Sequence, residues 1–107
     1  MTFETKDTGE RQQYASGMKR DITAGKLRWD LVDMGMLERW AGLMTRGAVK
    51  YGENNWTKAC TLEEYNRFRE SAWRHFMQYM RGDTDEDHAA AVFFNLAGME
   101  YVKGKLK

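Results

Sequence analysis

The sequence predicts an all-α fold, a small bundle of three main helices, on three observations. Apolar residues recur at the helix period in three stretches, near 31–48, 65–80 and 89–102. There is no proline in the 107 residues, so glycines and capping residues carry all the punctuation. A capping box, Thr61 with Glu64, and a turn at Gly82-Asp83 mark where the later stretches begin and end.

Residues 1–18 are polar with little periodicity and read as a flexible N-terminal arm. The single helical domain is expected over 19–107, opening with a basic loop at 19–29 that turns at Gly25. Helix one is expected to start with Asp30 as N-cap and Asp33 in its first turn. Leu31, Met34, Leu37, Trp40, Leu43, Met44 and Ala48 give its apolar side. Gly35, Gly42 and Gly47 each cost about 1 kcal/mol relative to alanine, which suggests close packing or a break near Gly47. Gly52 ends the helix. Residues 53–60 form a loop, in which Trp56 is either packed onto a core edge or a lid over a ligand.

Helix two starts at Thr61. Tyr65, Phe68, Ala72, Trp73, Phe76, Met77 and Met80 form its apolar face. Glu64, Arg67, Ser71, His75 and Gln78 form a second, polar stripe at i+3/i+4 spacing. Helix three is expected from an N-cap at Thr84, with Asp87 at the capping-box position. It is apolar on most sides and so the most buried. His88 and Asn95 are polar groups on that helix and need partners, either in the core or in a ligand.

Length allows one domain with a thin core, burying roughly 60–70% of the unfolded chain's surface. Four Trp, five Tyr, five Phe and eight Met exceed what a lone three-helix bundle needs, so a homo-oligomer that completes the core is expected. A net charge of +1 gives no bulk case for DNA, RNA or membrane binding. No apolar run approaches a membrane span, Cys60 is the lone cysteine, and a cytoplasmic location is expected.

Charge is nevertheless clustered. Asp83, Asp85, Glu86 and Asp87 place four carboxylates in five residues, with His75 and His88 on either side. Lys19, Arg20, Lys26 and Arg28 form a basic run, and Lys103, Lys105 and Lys107 a basic tail. Crowded carboxylates repel unless a cation or water screens them, so the corner is a candidate Mg²⁺ and nucleotide-phosphate site. The alternative is that these acids cap a helix start, where they are favoured by the dipole alone. There is no glycine-rich phosphate loop of the P-loop type and no nucleophile elbow.

Several motifs in order resemble one phage family. They are Arg20-Asp21, Gly25-Lys26-Leu27-Arg28-Trp29-Asp30-Leu31, Arg46-Gly47-Ala48-Val49-Lys50-Tyr51-Gly52-Glu53-Asn54-Asn55-Trp56, Ser71-Ala72-Trp73-Arg74-His75, and Gly82-Asp83 through Asp85-Glu86-Asp87-His88 to Asn95. Over about residues 19–102 the chain looks like the dATP/dGTP diphosphohydrolase N-terminal domain, related to the all-α MazG-like nucleoside triphosphate pyrophosphohydrolases. The resemblance implies an oligomeric helical bundle in the cytoplasm of an infected bacterium. It also implies Mg²⁺-dependent cleavage of a purine dNTP to dNMP and pyrophosphate. MazG-like enzymes hold Mg²⁺ with Glu-x-x-Glu on one helix and Glu-x-x-Asp on the next. This chain has neither pairing on its long helices.

Two functions of different class follow. As an enzyme, His75, Glu70 and Asp87 are the catalytic candidates, and Glu70, Glu86, Asp87 and His88 the metal ligands. Arg20, Lys26, Arg28, Lys50, Tyr51, Asn54, Asn55, Trp56, Arg74 and Asn95 would contact substrate. As a non-catalytic sponge, the same basic and aromatic residues would sequester a nucleotide-derived host-defence signal, such as a cyclic nucleotide or a cyclic ADP-ribose. The acidic turn would then be structural.

Overall fold

The computed structural model describes residues 2–106; Met1 of the expected arm and Lys107 of the basic tail lie outside them. The chain forms two compact units, residues 1–32 and 33–107. The division falls past the expected boundary at residues 18 and 19.

In the N-terminal unit the expected arm and basic loop give way to a small hairpin. Strand β1, Arg11–Gln13, pairs antiparallel with β2, Lys19–Asp21, with Arg11 opposite Asp21 and Gln13 opposite Lys19. The connection is closed by Tyr14 N–H donating to Met18 O at 2.8 Å and Gly17 N–H to Tyr14 O at 2.8 Å. Asp21 ties the hairpin's ends together, accepting from Thr8 and lying 3.8 Å from both Arg11 and Lys26. Periodicity could not reveal strands of three residues, because they bury no face. A 3₁₀ turn follows at Trp29–Leu31.

The helical unit carries the three expected helices. Helix α1 runs Met34–Tyr51. Its N-cap is Asp33, which accepts from Gly35 N–H at 3.2 Å and Met36 N–H at 3.1 Å, and not Asp30. Asp30 is held instead by the fork of Arg28, at 2.8 and 2.6 Å. The helix passes through Gly47 without a break, since the glycine's propensity cost alone, about 1 kcal/mol, does not interrupt an 18-residue ladder. A 3₁₀ turn at Asn55–Lys58 occupies the expected loop.

Helix α2, Leu62–Arg81, begins with the predicted capping box. Thr61 Oγ1 accepts from Glu64 N–H at 3.2 Å, and Glu64 Oε1 accepts from Thr61 N–H at 3.1 Å. It ends at Gly82, whose φ of 90° suits a residue without Cβ. Helix α3, His88–Lys103, starts later than expected, with Asp87 and not Thr84 as N-cap. Asp87 accepts from Ala90 N–H at 3.1 Å, and Arg39 of α1 forks onto the same carboxylate at 2.9 and 2.7 Å. Among several acidic candidates in the turn, that long-range fork selects one.

Helix α3 packs against both α1 and α2 and is the most buried helix, as predicted. Its fully buried Val102 is worth about 2 kcal/mol. The rest of the buried apolar set is small: Ala59, Ala72, Ala90 and Ala91. Helix α1 buries no residue completely. Among the described residues no helix is long and apolar enough to cross a membrane.

Candidate functional site

The polar stripe of α2 becomes one wall of a cleft of about 850 Å³ in the helical unit. Glu64, Arg67, Ser71 and His75 line it, each a turn further along the helix. From Glu64 to His75 is about 16 Å of helix, comparable with an extended nucleoside triphosphate. The C-terminal half of α1 supplies Arg46 and Lys50 opposite, and α3 supplies Ala91, Phe94 and Asn95.

Aromatic rings close one part of the cleft. Trp56 meets Tyr101 edge-on at 4.9 Å and Phe94 at 6.0 Å, and Phe94 meets Phe68 at 5.8 Å. Such contacts fix ring orientation. The turn that carries Trp56 is pinned at Thr57 O, which accepts from Tyr101 OH at 3.2 Å and Lys105 Nζ at 2.9 Å. Trp56 is therefore a half-buried wall and not a free lid. Asn54 and Asn55 border the same space, with Asn54 in the left-handed conformation at φ 58°.

Two histidines sit where α2 meets the turn before α3. His75 Nδ1 and His88 Nδ1 are 2.9 Å apart, and His88 Nε2 is 2.8 Å from Asp85 Oδ1. His88 is buried at 2% exposure, while Asp85 and Glu86 are exposed. Facing a carboxylate assigns the His88 proton to Nε2, which leaves Nδ1 with a lone pair towards His75. Burial pushes the His75 imidazole below its usual range. Hydrogen bonding from His88 holds the Asp85 carboxyl below its usual range.

The predicted site residues separate into groups. Lys50, Tyr51, Asn54, Asn55, Trp56, His75, Glu86 and Asn95 come together in the cleft. Asn95 also donates to Ala91 O at 2.8 Å. Arg74 and Glu70 are outside its lining and face each other at 3.6 Å, with Arg67 3.8 Å from Glu70. Asp87 is committed to Arg39 and the start of α3. Arg20, Lys26 and Arg28 belong to the N-terminal unit. There Arg28 is paired with Asp30, and strand alternation sends Lys19 and Arg20 to opposite faces, so no single basic strip forms. Arg46, Lys58 and Phe94 also line the cleft and were not among the residues expected there. The signal for Arg46 was available, since it stands four residues before Lys50.

The Mg²⁺ ligand set expected from the sequence, Glu70, Glu86, Asp87 and His88, does not come together in one place. Only Glu86 and His88 come together, and their third neighbour is His75. Two imidazoles and one carboxylate do not make the near-octahedral oxygen shell that Mg²⁺ prefers.

A helical unit with cations along a cleft, an aromatic wall and a histidine–carboxylate end defines a small all-α protein suited to an anionic, ring-bearing ligand. Over residues 16–105 the chain matches the family described as dATP/dGTP diphosphohydrolase, N-terminal, and it belongs to that family. No curated protein and no solved structure matches it.

Proposed function

We propose that the cleft binds a purine deoxynucleoside triphosphate and that the protein cleaves it to the monophosphate and pyrophosphate. The observation that carries this reading is the placement of Arg46, Lys50 and Arg67, an aromatic wall and the His75–Glu86 end around one cleft, in a chain of this family. The cations neutralise the triphosphate, which arrives as its Mg²⁺ complex. Trp56 and the Asn54 and Asn55 amides contact base and sugar. Glu86, exposed and on the lining of the cleft, takes a proton from the attacking water. The new bond forms at the α-phosphorus as its bond to the bridging oxygen breaks, and pyrophosphate leaves.

The test is pyrophosphate release from a panel of NTPs and dNTPs with Mg²⁺ or Mn²⁺. Purine dNTPs should turn over, and Lys50→Ala should raise KM about tenfold, the effect of losing roughly 1.4 kcal/mol of binding. A protein inert towards the whole panel sinks the hydrolase reading.

A second reading is favoured by the dispersal of Glu70 and Asp87 into ion pairs. In it the cleft sequesters a cyclic nucleotide or cyclic ADP-ribose type signal without turnover and without metal. Ligand recovered intact from a tight complex would support it, and cleaved ligand would count against it.

We further propose that the protein is a homo-oligomer. Trp73, Phe76 and Leu96 lie on one outer face of α2 and α3, at 71%, 51% and 50% exposure. A contiguous apolar face of this kind marks an association surface. Trp73→Asp should convert the assembly to monomers in sedimentation velocity without changing the helical circular dichroism; an unchanged sedimentation coefficient would exclude this face.

A further inference from the structure

We propose that His75, His88 and Glu86 bind one divalent transition ion of the cobalt, nickel and zinc class, with Asp85 holding His88 in the ligating tautomer. Each residue offers one donor atom, and these atoms lie within 4.8 Å of one another. Two imidazole nitrogens that share such an ion, each about 2.0–2.1 Å from it, stand about 2.9–3.4 Å apart. The Nδ1 atoms of His75 and His88 already stand 2.9 Å apart.

The proton pattern suits the same ion. His88 Nε2 meets the Asp85 carboxylate at 2.8 Å and so carries the hydrogen. Its Nδ1 lone pair then points at His75, from a ring held by its burial. A carboxylate behind a histidine is the arrangement that fixes the tautomer and orientation of metal-binding imidazoles. The neighbouring acids are already engaged: Asp83 is paired with Arg81, and Asp87 with Arg39. Glu86 is the carboxylate left to complete the set, through one oxygen, which leaves its other oxygen for the proton of the water in the function proposed above. Three protein donors leave a four-coordinate ion one open position, and His75 and Glu86 border the cleft. Imidazole donors select this class of ion over Mg²⁺, which takes carboxylates, carbonyls and water. The role of the ion in nucleotide cleavage rests on the function proposed above; its binding does not.

The test titrates the chelator-treated full-length protein with Co²⁺, without nucleotide, and follows visible d–d absorption. Bands should saturate at one ion per chain, disappear on addition of Zn²⁺ and persist in millimolar Mg²⁺. Asp85→Asn should weaken binding about 10–100-fold, and Asp83→Asn should leave it unchanged. His75→Gln should abolish the bands while far-UV circular dichroism stays helical. It carries the test if the buried His88 tolerates no substitution. Absence of saturable bands, their displacement by Mg²⁺, or their survival in His75→Gln overturns the site. Protein that binds Co²⁺ but releases no pyrophosphate overturns the hydrolase reading alone. Protein that releases pyrophosphate but binds no Co²⁺ overturns the ion site alone.

Discussion

Glu86→Gln is expected to lower pyrophosphate release about a hundredfold or more with no change in melting temperature, whereas Asp87→Ala is expected to do the reverse. The two carboxylates are adjacent in sequence and differ in everything that touches them. Glu86 is exposed, borders the cleft and groups with His75 and His88. Nothing in the fold depends on its charge. Asp87 accepts from Ala90 N–H and from the Arg39 fork. Removing a carboxylate N-cap costs about 1–2 kcal/mol, and one kcal/mol lowers the melting temperature of a unit this size by about 4–8 °C. Asp87→Asn should fall between, because asparagine caps as well as aspartate but cannot pair with Arg39 as a charge. Steady-state pyrophosphate release and thermal melts on the same three proteins make the comparison. Equal loss of activity in Glu86→Gln and Asp87→Asn, at equal stability, would show that the two acids act together and that Asp87 leaves its cap.

Gly98→Ala is expected to destabilise the helical unit by about 1–2 kcal/mol, although alanine is the better helix former. A Cβ at Gly98 would fall 2.6 Å from two ring atoms of Phe68 and 2.8 Å from a third. Overpacking of this kind costs about 1–3 kcal/mol, more than the gain of about 1 kcal/mol in propensity. The Phe68 ring cannot retreat freely, because Phe94 meets it edge-on at 5.8 Å. Gly47→Ala is the control: its Cβ would have no neighbour within 4 Å, so it should gain stability by about 0.5–1 kcal/mol. Phe68→Leu in the Gly98→Ala background should restore part of the loss. Denaturant midpoints for the four proteins measure these differences, and a stabilising Gly98→Ala would show that α2 and α3 separate there at no cost.

Much of the helical architecture could be read in advance, for a local reason. Thr61 and Glu64 cap each other three residues apart, and that exchange needs no partner from elsewhere. The polar stripe Glu64, Arg67, Ser71, His75 follows from helical geometry alone, and it does line the cleft. The hairpin of the N-terminal unit escaped because strands of three polar residues have no apolar alternation to detect. The N-caps of α1 and α3 were misplaced because several acidic residues stood near each start. Arg28 took Asp30 out of contention, and Arg39, 48 residues away in sequence, fixed Asp87.

The same division runs through the site. By itself the sequence determined three helices, their approximate limits, a family, and an acidic turn flanked by two histidines. Only the tertiary structure decided which of those acids were free to act. Packing of α1 against α3 put Arg39 on Asp87 and brought Glu86 and His88 beside His75 of α2. Glu70, by contrast, pairs with arginines three and four residues away on its own helix, and Asp85 with His88 three residues on, contacts that spacing alone supplies. Charge density in a sequence counts carboxylates; the desolvation and pairing that settle what each one does depend on neighbours that only folding supplies.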